Sequence, residues 1–156
     1  MTNAAAQTEM VVQCMKTRIA DKIVEILKTV RDVKTVTFDK VKLLASDFTE
    51  TEIPAIQLID VSQTGNHEQS RVKYMWLIAL ELTMKQTADK ACDQRALWNL
   101  EYQVKRKLWT TPNLGVPGVV HMQFVNAETD LHLLEPFYFA RIFFEVHFYE
   151  SLVRDC

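Results

Sequence analysis

Apolar residues recur at every second position from Val72 to Met84: Val72, Tyr74, Trp76, Ile78, Leu80, Leu82 and Met84. Arg71, Lys73, Glu81 and Thr83 hold alternate positions, and Met75, Leu77 and Ala79 make the middle of that second face apolar too. Period two predicts a β-strand from Ser70 to Lys85, and its doubly apolar centre predicts cover on both faces there. At ~3.3 Å per residue such a strand spans about 45 Å, beyond the usual strand length. Part of it is therefore expected to stand clear of its own core.

The pattern on either side changes period. Val11, Met15, Ile19, Ile23, Ile26, Leu27 and Val30 recur at three and four, which predicts an amphipathic helix from about Glu9 to Val30. Val33 to Leu44 reads as a strand, with Val36, Phe38, Val41 and Leu43 alternating around a bulge. Residues 45–52 form an acidic loop with Phe48 alone in it. Ile53 to Val61 is a strand opened by Pro54, and residues 62–69 form a turn built on Gly65-Asn66. That turn joins the two strands as an antiparallel hairpin.

Thr87 is the predicted N-cap of a second helix, with Asp89 in its first turn, running to about Trp109. Ala96, Leu97, Leu100, Val104 and Leu108 make its core stripe, widened by Trp98, Tyr102 and Trp109. Strands over Val119–Val125 and Phe137–Tyr149 complete the chain, with Leu133 and Leu134 in the connection between them. This order predicts an α+β fold: a mostly antiparallel or mixed sheet, two main helices packed on it and one long β-hairpin. A single domain is expected over residues 1–156, with residues 1–8 flexible.

Composition narrows the function classes. A formal net charge of −2 argues against a general nucleic-acid binder. Three glycines leave no room for a glycine-built phosphate loop. Cys14, Cys92 and Cys156 are odd in number and match no metal spacing, which suits a reducing compartment. No apolar run reaches the ~18 residues of a membrane span, and no signal peptide is expected.

Candidate chemistry is sparse. His67, His121, His132 and His147 lack ligating partners at i+2 to i+4; only His121 and His147 can meet, on adjacent strands beside Glu145. No glycine-flanked serine elbow occurs, and Cys92 reads as a small core residue. Glu145 is expected to face outward or to pair with Arg141. Lys105-Arg106-Lys107 reads as helix-end capping, and Trp76, Tyr138, Phe144 and Phe148 as core. No catalytic residue, metal or cofactor is expected, and the chain is not expected to be an enzyme.

Nearly the whole chain resembles the tail-terminator (tail-completion, minor tail) proteins of long-tailed bacteriophages. The stretches that carry the resemblance are IADKIVEILKTV, PAIQLIDV, the charged turn before VKYMWLIALEL, LWTTPNLGVPG and EPFYFARIFFEVHFYE. The resemblance implies a virion structural protein, without cofactor or catalysis, forming a sixfold ring on the finished tail tube. Such a ring stops tube polymerisation and offers a surface to the head connector. The implied partners are further copies of itself, the tail tube protein and the head–tail connector protein, with no membrane and no sequence-specific nucleic acid. The implied place is the head-proximal end of the tail, after assembly in the host cytoplasm. Within that picture Phe48, Glu50, Glu52, His67 and Glu68 are the candidate subunit or partner interface, with Phe48 as its anchor. A head-completion or connector protein is the alternative within the same class. A small-ligand-binding α+β domain is the alternative outside it, and requires a pocket with convergent polar groups.

Overall fold

The structure is a computed structural model and describes residues 14–38, 52–130 and 137–151. The described elements are α1 (Met15–Leu27), β1 (Thr35–Phe38), β2 (Ala55–Glu68), β3 (Arg71–Lys85), α2 (Lys90–Thr110), β4 (Val119–Asp130) and β5 (Phe137–Ser151), with a short 3-10 turn at Pro112–Gly115. The strands form a single five-stranded sheet of order β1-β2-β3-β5-β4. β1 runs parallel to β2, and every other neighbouring pair is antiparallel. The α+β class, the mixed sheet and the long hairpin are as the hydrophobic pattern predicts.

One face of the sheet meets both helices. Ile56 and Leu58 of β2, Trp76 to Leu82 at alternate positions of β3, and Tyr138 to Phe148 at alternate positions of β5 form its floor. Ile19, Ile23, Ile26 and Leu27 of α1 and Leu97, Leu100, Val104 and Leu108 of α2 close over it. Burying each such side chain contributes roughly 1.5–3 kcal/mol, so this layer dominates the fold's stability. The opposite face is buried only around Ala55, Gln57, Ala79, Glu81 and Thr83. The expected double cover of the central strand is therefore present, but confined to the end of the hairpin nearest β1.

Four local expectations are corrected. The Gly65-Asn66 turn is absent: β2 runs on to Glu68, and the turn is the two-residue loop Gln69-Ser70, with Gln69 at φ 52°. Gly65 instead pairs with Tyr74 in mid-strand. A Cβ there would meet the Tyr74 ring at 3.1 Å and Val72 at 3.2 Å, so the glycine makes room for cross-strand side chains. Asp89, not Thr87, caps α2: its carboxylate accepts from the N–H groups of Ala91 and Cys92. Thr87 ties down the same turn from outside, its N–H and hydroxyl both donating to the buried Asp93 carboxylate at 2.9 and 2.6 Å. Trp98 and Tyr102 do not widen the core of α2 but are exposed. Cys92 is exposed as well, on the outer side of a first turn whose next residue, Asp93, is buried.

The Glu145–Arg141 pairing also fails, for a reason of strand geometry. Residues four apart on a strand lie about 13 Å apart. Register puts Arg141 directly opposite the buried Glu81, to which its Nε donates at 2.8 Å. The first helix is described from Met15, so its expected start at Glu9 lies outside the described residues, as do the expected strand beyond Phe38 and the Leu133-Leu134 connection.

Candidate assembly surface

The long hairpin divides into two halves. From Ala55 to Leu58, β2 is buried and flanked by β1. From Val61 to His67 every residue is exposed, and among the described residues no strand pairs with this outer edge. A bulge between Asp60 and Ser62 marks the change and turns Val61 outward. β4 ends the sheet on the other side, also without a described partner on its outer edge, and carries bulges after Val119 and after Phe124. Val61 on one of these edges and Val120, Phe124 and Val125 on the other are exposed large apolar residues, as are Met75 in the middle of the sheet and Phe38 at the end of β1.

A second exposed feature flanks β4. Trp98, Tyr102, Lys105 and Trp109 follow one another at four, three and four along α2, one stripe of the helix. Lys105 Nζ lies over the Phe124 ring at 4.1 Å, and Trp109 meets Phe144 edge-on at 5.9 Å, so the stripe leans toward β4. Trp98 and Tyr102, 54% and 62% exposed, continue it into solvent. This stripe lies one position beyond the core stripe of the same helix, which is why spacing alone assigned it to the core.

The sequence-derived interface residues do not form one patch. Phe48 and Glu50 lie outside the described residues. Glu52 is half-buried just before the cis Ile53–Pro54 peptide, at the base of the hairpin. His67 and Glu68 are at its tip, where the His67 Nε2 donates to the Gln69 carbonyl at 2.7 Å and Glu68 pairs with Arg71 at 3.5 Å. The length of β2 between base and tip is about 43 Å at ~3.3 Å per residue. The structure thus joins His67 to Glu68 and separates both from Glu52.

Polar chemistry is local. His121 and His147 do meet, their rings edge-to-face at 5.5 Å, and Glu145 lies 3.1 Å from the His147 Nε2. Among the described residues no group of three or more histidine, cysteine or acidic side chains is arranged to hold a metal ion. A cleft of about 460 Å³ opens between α1 and the hairpin, lined in part by Lys16, Phe38, Asp60 and Trp76. Burial alone would raise the Asp60 carboxyl; hydrogen bonds from Trp76 Nε1 at 2.8 Å and Lys16 Nζ at 3.0 Å outweigh it and hold its pKa below the ordinary value. A second cleft, about 740 Å³, lies between the C-terminal ends of the helices, where Arg31, Arg106 and Lys107 converge with Thr29 and Thr111. Burial raises the Glu101 carboxyl, an effect that Lys105 partly offsets. No described helix is long and apolar enough to cross a membrane.

The fold is similar to that of a chain in the virion of a native gene transfer agent particle. The two share a TM-score of 0.50 and 10% sequence identity, over 90% of this chain and 98% of that one. At that identity the likeness is one of fold. No protein-family model matches the chain, and no curated protein matches its sequence.

Proposed function

We propose that this chain is a structural protein of a tailed, phage-like virion and, more narrowly, a tail terminator. In this reading copies of it close into a ring at the head-proximal end of the tail tube, block further addition of tube subunits and present a surface to the head connector. The observation that carries the reading is the fold shared with a gene transfer agent virion chain along almost the full length of both. The layout of helix, strands, helix, strands that resembles tail terminators points the same way. The surfaces support a role in assembly: sheet edges without a partner among the described residues and an exposed aromatic stripe are features of a protein that binds other proteins. We read the protein as acting by contact and not by catalysis.

The test is tube polymerisation. Adding the purified protein to polymerising tube protein of the same particle is expected to shorten the tubes and leave ring density at one tube end in electron micrographs. Unchanged tube lengths with bare ends would overturn the terminator reading. Unchanged lengths with binding to the isolated connector would favour a head-completion protein instead.

A further inference from the structure

The basic run Lys105-Arg106-Lys107 does not act as one unit. Lys105 turns toward β4, over the Phe124 ring. Arg106 and Lys107 turn away from it, into the cleft of about 740 Å³ between the C-terminal ends of α1 and α2. Gln103, Arg106, Lys107 and Thr110 follow one another at three, one and three along α2, a single stripe that forms one wall. Thr29 and Arg31 form the other. Arg31 sits in a turn anchored by the buried Val30, with Asp32 at φ 71° and the Val33 N–H donating to the Val30 carbonyl. Capping of a helix end accounts for Lys107, in the last turn of α2. It does not account for Arg31, which lies beyond the end of α1.

The cleft is rich in donors and poor in acceptors. Among the described residues no carboxylate lies within ion-pair distance of Arg31, Arg106 or Lys107. Glu25, at the rim, is held by Lys22 at 3.4 Å. The free carbonyls of a helix C-terminus ordinarily repel an anion. Here the Ile26 carbonyl accepts from the Thr29 hydroxyl at 2.6 Å, and the Arg106 carbonyl from that of Thr110. Two guanidinium groups and an ammonium therefore converge without internal counter-charge, in a chain whose formal net charge is −2.

Guanidinium forks fit the paired oxygens of carboxylates and of phosphates alike. Two features favour carboxylates. Grooves for single-stranded nucleic acid stack bases on aromatic rings, and no aromatic side chain is among the described residues lining this cleft. The chain also lacks the basic excess of a nucleic-acid binder. We propose that this cleft seats an acidic segment of a neighbouring protein, with two or more aspartate or glutamate carboxylates pairing with Arg31, Arg106 and Lys107. The three cations are exposed, so each pair contributes modestly and binding falls as salt rises. Such a seat serves any protein that acts by contact, and does not depend on the terminator reading.

Fluorescently labelled hexaglutamate, titrated into the full chain at low salt and followed by anisotropy, tests this. Arg31→Gln and Arg106→Gln are each expected to weaken binding about threefold, and their combination about tenfold. Lys90→Gln makes the same change of charge at the far end of α2 and should leave binding unchanged. All three residues are exposed, so melting temperatures should match wild type. In the unmodified chain, amide chemical shifts of residues 29–31 and 103–111 are expected to move on addition of the peptide. No binding at low salt, equal losses for Lys90→Gln and the cleft variants, or shifts confined to other surfaces would each overturn the proposal. So would tighter binding of single-stranded hexathymidylate than of the peptide, which would make a nucleic acid the occupant.

Discussion

The two halves of the β2–β3 hairpin share strands, backbone geometry and a continuous register, yet only one is core. Near the base, Ala55 to Leu58 and Ile78 to Thr83 are buried on both faces and edged by β1. Toward the tip, Val61 to His67 are exposed and their edge is bare among the described residues. The difference lies in what covers each half. The helix-facing side stays packed toward the tip, where Tyr74, Trp76 and Phe148 pack on one another and Lys16 of α1 lies over the Trp76 ring at 4.7 Å; past Asp60 it is β2 itself and the opposite side of β3, at Met75, that are exposed. A strand can thus extend beyond its domain when its neighbours on one side, here β3 and β5, go with it. Length without cover leaves polar residues able to stay solvated.

The largest effect that would break this comparison is a core truncation. Phe144→Ala and Trp76→Ala are each expected to cost about 3–5 kcal/mol in denaturant titrations, whereas Thr64→Ala on the bare half should stay within about 0.5 kcal/mol. A loss under about 1 kcal/mol for Phe144→Ala, or a comparable loss for Thr64→Ala, would show that the division into halves is wrong.

The next effect is at alkaline pH. Tyr138 sits at the covered base, opposite Met84, and burial, with Asp93 and Cys92 adding to it, pushes its pKa up to about 12. A raised folded pKa means stability is fully present below the unfolded value of about 10 and is lost as pH rises toward the folded one. Wild-type protein should lose on the order of 2 kcal/mol across that window from this group, and Tyr138→Phe should remove that contribution. Titration of all tyrosines near the ordinary value, read by ultraviolet absorbance, would contradict a buried Tyr138.

The smallest effect lies at the boundary between the halves. Asp60 accepts from Trp76 and Lys16, and its folded pKa is depressed. Its contribution is present above the unfolded value of about 3.9 and lost as pH falls through the folded value. The carboxylate is nearly half exposed, so solvent screening keeps the effect small. Melting curves of Asp60→Asn should be flatter than wild type on the acid side of about pH 4 and match it in shape above about pH 6. Identical acid limbs would mean that the Trp76–Asp60–Lys16 contacts add nothing.

The sequence by itself determined the class of fold, the two helices, the face of the long strand and its core aromatics. These follow from hydrophobic period, which acts residue by residue and needs no partner to be read. It also showed that the Val72–Met84 strand exceeds what one core requires. Only the tertiary structure decided where the hairpin turns, because the glycine that marks a turn locally is claimed by Tyr74 across the strand. It alone decided that Trp98 and Tyr102 are outside, since the width of a buried helix face depends on what packs against it. It alone paired Arg141 with Glu81, and left Val61, Val120 and Val125 exposed. The candidate site was the least legible part. Glu52 and His67 are close in sequence relative to the whole chain, but an extended strand converts that short separation into its own full length, and strand order, which period does not encode, chooses which strands lie side by side.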